Sequence, residues 1–217
     1  MAATFRWSGT GRTLHGDAGR FDPWAFAWVP AAMPPDAVPV DALDGLRRVL
    51  GGREPGGRAR RVPVGVIGPR EATPAQLELA ERLGGSIAAT GLQLLCGGRG
   101  GVMEAACKGC LEAGGSPIGL LPDTEWTTAN PYVAIPIATG IGQARNALIA
   151  RACLALVAVG GGYGTLSEMA FGLHFDRLVL TLDQAPAVDG AIACASVEEA
   201  LARIAGHLLR EPGDRVS

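Results

Sequence analysis

The residues best suited to do chemistry form a glycine-rich turn at positions 160–164, followed by Thr165 and Glu168. An unbroken apolar run of strand length, residues 154–159, precedes the turn, and apolar residues at helical spacing follow it. Glycines let backbone N–H groups approach a ligand without a Cβ atom between them, and the first turn of a helix offers unpaired donors. The stretch therefore predicts a phosphate-binding turn between a strand and a helix.

The same residues also allow a purely structural interpretation. Thr165 and Glu168 have the spacing of a capping box, in which the threonine caps the helix and the glutamate bonds back to it. A cap needs one permissive residue, whereas four of the five residues at positions 160–164 are glycine. The glycine content favours a ligand site, with the capping box as the alternative.

From residue 62 onward the chain alternates strand-length apolar runs with helical patterns. Extended segments are predicted at 62–68, 92–96, 116–121, 130–137, 154–159, 178–182 and 191–195. Helices are predicted at 73–89, 102–113, 142–153, 197–209 and after Thr165. This alternation predicts an α/β fold: a three-layer, Rossmann-like parallel sheet with helices on both faces and ligand sites at the carboxyl ends of its strands.

A second glycine-rich stretch, residues 97–101, follows the strand predicted to end at Cys96. Parallel strands bring both glycine stretches to one edge of the sheet. Neither contains G-x-G-x-x-G, and the chain has no G-x-x-x-x-G-K-[ST], so NAD enzymes and P-loop NTPases are both disfavoured. We predict a mononucleotide site between the two stretches, with Gly98, Arg99 and Gly100 as contacts from the first of them.

The first 61 residues differ in character from the rest. Residues 1–50 are predicted to be an N-terminal extension with short strands near 4–7 and 25–29 and a helix at 42–50. Three of the four tryptophans lie there, which indicates a packing or dimer role or, alternatively, a lid over the site. Residues 51–61 read as a Gly/Arg-rich linker, and residues 62–217 as the nucleotide-binding domain.

Composition excludes several classes of protein. A net charge of −2 provides no general basic field for nucleic acid. The longest apolar run, residues 147–159, is interrupted by Arg151 and is too short to span a bilayer, so we expect no membrane association and a cytoplasmic location. Five scattered cysteines indicate reduced thiols, and the three isolated histidines predict no metal site.

The two glycine stretches, with the segments at 118–122 and 142–152, resemble the LONELY GUY (LOG) superfamily, once labelled "lysine decarboxylase". The resemblance covers roughly residues 63–209. It is strongest to the branch that contains bacterial Rossmann nucleotide-binding proteins and molybdenum-cofactor carrier proteins.

The resemblance implies a site and an activity. LOG enzymes hydrolyse the N-glycosidic bond of nucleoside 5′-monophosphates, which makes Arg145 and Glu168 the implied catalytic residues. The implied phosphate- or nucleotide-binding residues are Gly160, Gly161, Gly162, Gly164, Thr165 and Asn146. No cofactor is required for this reaction, and a homodimer or higher homo-oligomer is implied.

Two departures from the LOG motif favour a second function. Gly160 stands where LOG enzymes have a proline, and Asn146 replaces a lysine. Both changes suit the carrier branch. The alternative is therefore a non-catalytic binder or carrier of a phosphorylated ligand of the molybdopterin type.

Overall fold

A computed structural model of the chain describes residues 5–51 and 59–212. The chain divides into two compact units. One contains the residues up to 61 together with those from 201 onward, and the other contains residues 62–200. Most of the predicted linker, residues 52–58, lies outside the described residues.

The first unit contains a five-stranded antiparallel sheet in the order β4-β3-β2-β1-β5. Its strands are β1 Phe5–Ser8, β2 Thr13–Gly16, β3 Gly19–Asp22, β4 Ala27–Val29 and β5 Val38–Val40, and helix α1 is Ala42–Gly51. Strands near β1 and β4 and the helix α1 were predicted. Strands β2, β3 and β5 were missed, because four-residue strands joined by Gly/Asp turns have almost the same composition as a loop.

Aromatic side chains form the interior of this first unit. Phe5 stacks on Trp28 with ring centroids 5.8 Å apart, and Phe21 meets Trp28 edge to face at 5.4 Å. The Trp28 indole N–H donates to the Leu209 carbonyl at 3.3 Å, so the residue that follows α6 is bonded to this sheet. The tryptophan-rich segment therefore supplies core packing within its own unit.

The second unit is a seven-stranded sheet, entirely parallel, in the order β12-β11-β10-β6-β7-β8-β9. Its strands are β6 Pro63–Ile67, β7 Gln93–Cys96, β8 Ile118–Leu121, β9 Ile135–Ala138, β10 Ala155–Val159, β11 Leu178–Leu182 and β12 Ile192–Ala193. Its helices are α2 Pro74–Ala89, α3 Val102–Glu112, α4 Arg145–Ala152 and α5 Tyr163–His174, and α6 Val197–Leu208 begins in this unit. The predicted three-layer, Rossmann-like α/β fold is confirmed.

The strand order contains one reversal, between β6 and β10. The chain proceeds from β6 through β7 and β8 to β9 at one edge, then returns to β10 on the other side of β6. A crevice forms outside the carboxyl ends of the strands at such a reversal, and it is the usual ligand site of open α/β sheets.

Helices α2 and α3 approach closely because each helix places a glycine against the backbone of the other. A Cβ atom on Gly84 would collide with the Ala106 carbonyl, and one on Gly109 would collide with the Glu81 carbonyl.

Helix α2 begins with a capping box, in which the Thr73 hydroxyl accepts from the Gln76 N–H and the Gln76 side chain accepts from the Thr73 N–H.

Over residues 5–51 and 59–212, no helix is long and apolar enough to cross a membrane. Within the same ranges, no three His, Cys, Asp or Glu side chains are grouped so that they could hold a metal ion.

Candidate functional site

A cleft of about 510 Å³ lies where the strand order reverses. Residues that follow β6 line one side of it, and the start of α5, which follows β10, lines the other. The charged side chains in its lining are Arg70, Arg145 and Glu168. Two cations against one carboxyl group leave the lining of the cleft with a net positive charge.

The glycine turn at 160–162 leads directly into α5, which begins at Tyr163, two residues earlier than predicted. The N-cap residue is Gly162, and no side chain caps the helix. Thr165 lies inside the first turn, and Glu168 bonds to Arg145 instead of bonding back to the helix start. The capping-box alternative is therefore wrong.

The glycines of this turn fall into two pairs. Gly160 and Gly161 have φ +57° and +153°, which residues with a side chain rarely adopt, so the fold itself requires these two glycines. A Cβ atom on Gly162 or Gly164 would meet nothing within 4 Å, and both residues line the cleft. The second pair leaves the N–H groups of the first turn of α5 open to a ligand.

Arg145 and Glu168 form a buried ion pair in the cleft. The Arg145 Nη1 donates to Glu168 Oε1 at 3.0 Å, and their side chains are only 5% and 8% exposed. Loss of hydration raises the pKa of Glu168 to about 7, although the attraction of Arg145 opposes the shift. Burial likewise lowers the pKa of Arg145. The pair thus holds a carboxyl group that can change its charge near neutral pH.

The first glycine stretch helps to position Arg145. A Cβ atom on Gly97 would collide with the Arg145 guanidinium, whose Nη2 lies 3.5 Å from the Gly97 carbonyl oxygen. Only a residue without a side chain leaves room for the guanidinium here. A glycine in the first stretch therefore shapes the site without facing the cleft.

Asn146 lines the cleft and bonds to the start of α5. Its Nδ2 donates to the Ser167 hydroxyl at 2.8 Å and lies 3.4 Å from the Gly164 carbonyl oxygen. The Ser167 hydroxyl in turn donates to the Gly164 carbonyl at 2.7 Å. This network fixes the first turn of α5 against α4.

The other predicted contacts in the first stretch lie elsewhere. Among the described residues, the lining of the cleft does not include Gly98, Arg99 or Gly100. The Arg99 guanidinium bonds to Asp123 and donates to the Thr128 carbonyl at 3.0 Å. The stretch follows β7, which is one strand removed from the reversal between β6 and β10. Its predicted phosphate contacts stay a prediction.

Several further lining residues were missed by sequence reasoning, among them Arg70, Met103 and Gln143. Arg70 lies three residues after the end of β6 at Ile67, and the central position of β6 could not be read from the order of elements along the chain. The available signal in the sequence was a polar residue just after a predicted strand that ends in glycine.

Comparison with known proteins places this arrangement in a family. Residues 61–205, two thirds of the chain, match the SLOG cluster4 family. The chain belongs to that family. This confirms the resemblance to the LOG-like Rossmann superfamily, and the match begins where the second unit begins.

Two solved structures of other proteins are similar to this chain. The molybdenum cofactor carrier protein of Chlamydomonas reinhardtii is 38% identical, with 70% of this chain and 100% of the other covered and a TM-score of 0.65. The molybdenum cofactor binding protein of Rippkaea orientalis is 35% identical, with 67% and 96% covered and a TM-score of 0.63.

A relative named as an enzyme is more distant. The cytokinin riboside 5′-monophosphate phosphoribohydrolase of Rhodococcoides fascians is 29% identical over 165 residues. The match covers 58% of this chain and 80% of the enzyme.

Proposed function

We propose that this protein binds a nucleoside 5′-monophosphate and hydrolyses its N-glycosidic bond, releasing the free base and ribose 5-phosphate. The observation that carries the proposal is the Glu168 carboxyl group, which is buried, lines the cleft beside the open start of α5 and is held by Arg145. The relation to a phosphoribohydrolase supports it.

The phosphate would bind at the first turn of α5. The N–H groups of residues 163–165 precede the first intrahelical donor, Leu166, which bonds to the Gly162 carbonyl. Gly162 and Gly164 leave space for a phosphate oxygen, and the Thr165 hydroxyl adds a donor within the same turn. The Arg70 side chain, which lines the cleft, adds a positive charge.

The bond would break through an oxocarbenium-like sugar. As the bond between C1′ and the base nitrogen lengthens, positive charge develops on the ribose, and the ionised Glu168 carboxylate stabilises it. Water then adds to C1′, and its proton neutralises the departing base. Arg145 keeps the carboxylate in place and is itself a group that can contact phosphate or base.

A carrier of a phosphorylated ligand of the molybdopterin type is the second candidate, and one observation favours it. Gly160 has φ +57° and its N–H donates to the Leu182 carbonyl at 3.1 Å. Proline, the LOG residue here, can neither adopt that φ nor donate that bond. The conformation of this turn therefore excludes the proline of LOG enzymes at position 160. The carrier proteins share 35–38% identity with this chain.

Base release separates the two candidates. Wild-type protein is incubated with AMP, GMP, CMP and isopentenyl-adenosine monophosphate, and free base is quantified. Because the oxocarbenium charge exists only in the transition state, Glu168→Gln should lower kcat by about a hundredfold or more while changing ligand affinity little. Glu78→Gln, an exposed change on α2, is the matched control and should keep full activity.

The variant Gly162→Val tests whether phosphate binds at the first turn of α5. Gly162 has φ −138°, which any residue can adopt, and open space around its Cβ position, so Gly162→Val should fold normally. It should lose the thermal stabilisation that nucleoside monophosphates confer. Equal ligand-induced shifts for both proteins would exclude a phosphate site at this turn, and binding without base release by the wild type would establish the carrier.

The proposal also places the protein in the cytoplasm. Its five cysteines are free thiols, and four of them are buried, an arrangement that suits a reducing compartment.

A further inference from the structure

A second concave surface lies next to the cleft, and no function above uses it. This groove of about 820 Å³ runs between the start of α2 and the start of α3. Its side chains include Glu71, Glu81, Glu104, Lys108 and Tyr132. Arg70 lines both the groove and the cleft, so the two are adjacent.

The charge of the groove is opposite to that of the cleft. Three glutamates face two cations in the groove, whereas two cations face one carboxyl group in the cleft. Lys108 and Glu81 neutralise each other, with Nζ at 2.9 and 3.0 Å from the two carboxylate oxygens. A ligand that spans both surfaces would therefore be anionic at one end and rich in hydrogen-bond donors at the other.

Glu104 is the carboxylate best placed to accept from a ligand. It is half-buried in the first turn of α3, and it accepts no hydrogen bond from any residue of the described ranges. Its Oε2 lies 3.5 Å from the position where Gly100 would carry a Cβ atom, so the first glycine stretch borders this carboxylate. Tyr132 adds a half-buried aromatic ring to the same lining, a surface on which a planar ring can stack.

A carboxylate selects among heterocycles by the pattern of their donors. Two adjacent N–H donors bond to its two oxygens at once, and a 2-amino-4-oxopyrimidine ring, as in guanine or a pterin, presents such a pair. Adenine instead presents an amino group beside a ring nitrogen that accepts, so it makes one bond and places a lone pair against the second oxygen.

We propose that the groove is the subsite for the ring of the ligand, that Glu104 binds the adjacent N–H donors of a 2-amino-4-oxopyrimidine, and that Tyr132 stacks on it. The inference rests on the proposed phosphate site, because the phosphate end of the same ligand would occupy the cleft. It applies to a substrate and to a carried ligand alike.

Carbocyclic nucleotides test this with the intact chain, since a methylene in place of the ribose ring oxygen prevents hydrolysis. Affinities for carbocyclic GMP, IMP and AMP and for ribose 5-phosphate are measured by calorimetry. A bidentate pair is worth about tenfold to a hundredfold, so wild-type protein should prefer the GMP analogue to the AMP analogue by that factor. The IMP analogue lacks the 2-amino group and should fall between them.

The variant Glu104→Gln should remove the preference for the GMP analogue and leave ribose 5-phosphate binding unchanged. Glu112→Gln, an exposed change at the end of the same helix, should retain the preference. Equal binding of the GMP and AMP analogues by wild type, or an unchanged preference in Glu104→Gln, overturns the subsite while the phosphate site stands. If neither ribose 5-phosphate nor any analogue binds, the phosphate site and the subsite both fail.

Discussion

At the scale of single residues, the site depends on a buried ion pair whose two groups have lost most of their hydration. Neither Arg145 nor Glu168 is exposed by more than 8% at its side chain. Two charges taken out of water regain only part of the lost hydration by attracting each other. A buried ion pair that lines a cleft and lowers stability is typical of functional sites.

The Glu168 carboxyl group makes folding stability depend on pH. Folding raises its pKa from 4.5 to about 7, so the folded chain holds this proton after the unfolded chain has lost it. The contribution of this group to the free energy of unfolding is fully present below pH 4.5 and is lost as the pH rises to about 7. The corresponding free energy is about 3 kcal/mol.

Urea unfolding of wild type and Glu168→Gln between these two pH values measures the effect. The free energy of unfolding of wild type, relative to the variant, should fall by about 3 kcal/mol over this range. A difference that is independent of pH would show that Glu168 is ionised throughout and that Arg145 compensates its burial.

At the scale of elements, the starts of the helices are held in different ways. Helix α2 begins with a full capping box from Thr73 and Gln76, whereas α5 begins at Gly162 with no side-chain cap. A side-chain cap would occupy the N–H groups that a ligand needs. The uncapped start of α5 therefore agrees with a binding role, and the capped start of α2 with a structural one.

The cap of α2 should be measurable as stability. Thr73→Ala removes the oxygen that accepts from the Gln76 N–H and should lower the free energy of unfolding by about 1 kcal/mol. Thr127→Ala, at an exposed position outside any regular helix cap, should change it by much less. Equal effects of the two substitutions in urea unfolding would contradict a stabilising cap at Thr73.

At the scale of the whole molecule, the position of the site follows from the sheet topology. Strands β6 and β10 are neighbours although about 90 residues of chain separate them, so the cleft is assembled by the crossover between the two halves of the sheet. The glycine stretch after β10 lies at this reversal, and the one after β7 does not.

The exposed surface predicts self-association. Several large apolar side chains are exposed: Tyr163 (93%), Trp126 (62%), Ile141 (48%) and Leu148 (45%). Their burial against a second copy would be favourable, at about 25 cal/mol per Å². Light scattering at micromolar concentration should give at least twice the chain mass of 22.2 kDa, and a monomer mass would contradict the expected homo-oligomer.

The sequence alone determined the α/β class and the glycine turn before α5, which depend on local periodicity and on residue types within short windows. The candidate pair Arg145 and Glu168 came from the resemblance of the sequence to the LOG superfamily. Only the tertiary structure decided that Arg70 reaches the cleft, that Gly97 makes room for Arg145 and that Arg99 is bonded to Asp123. Strand order, register and side-chain packing bring together residues far apart in the chain, and no local pattern encodes which of them meet.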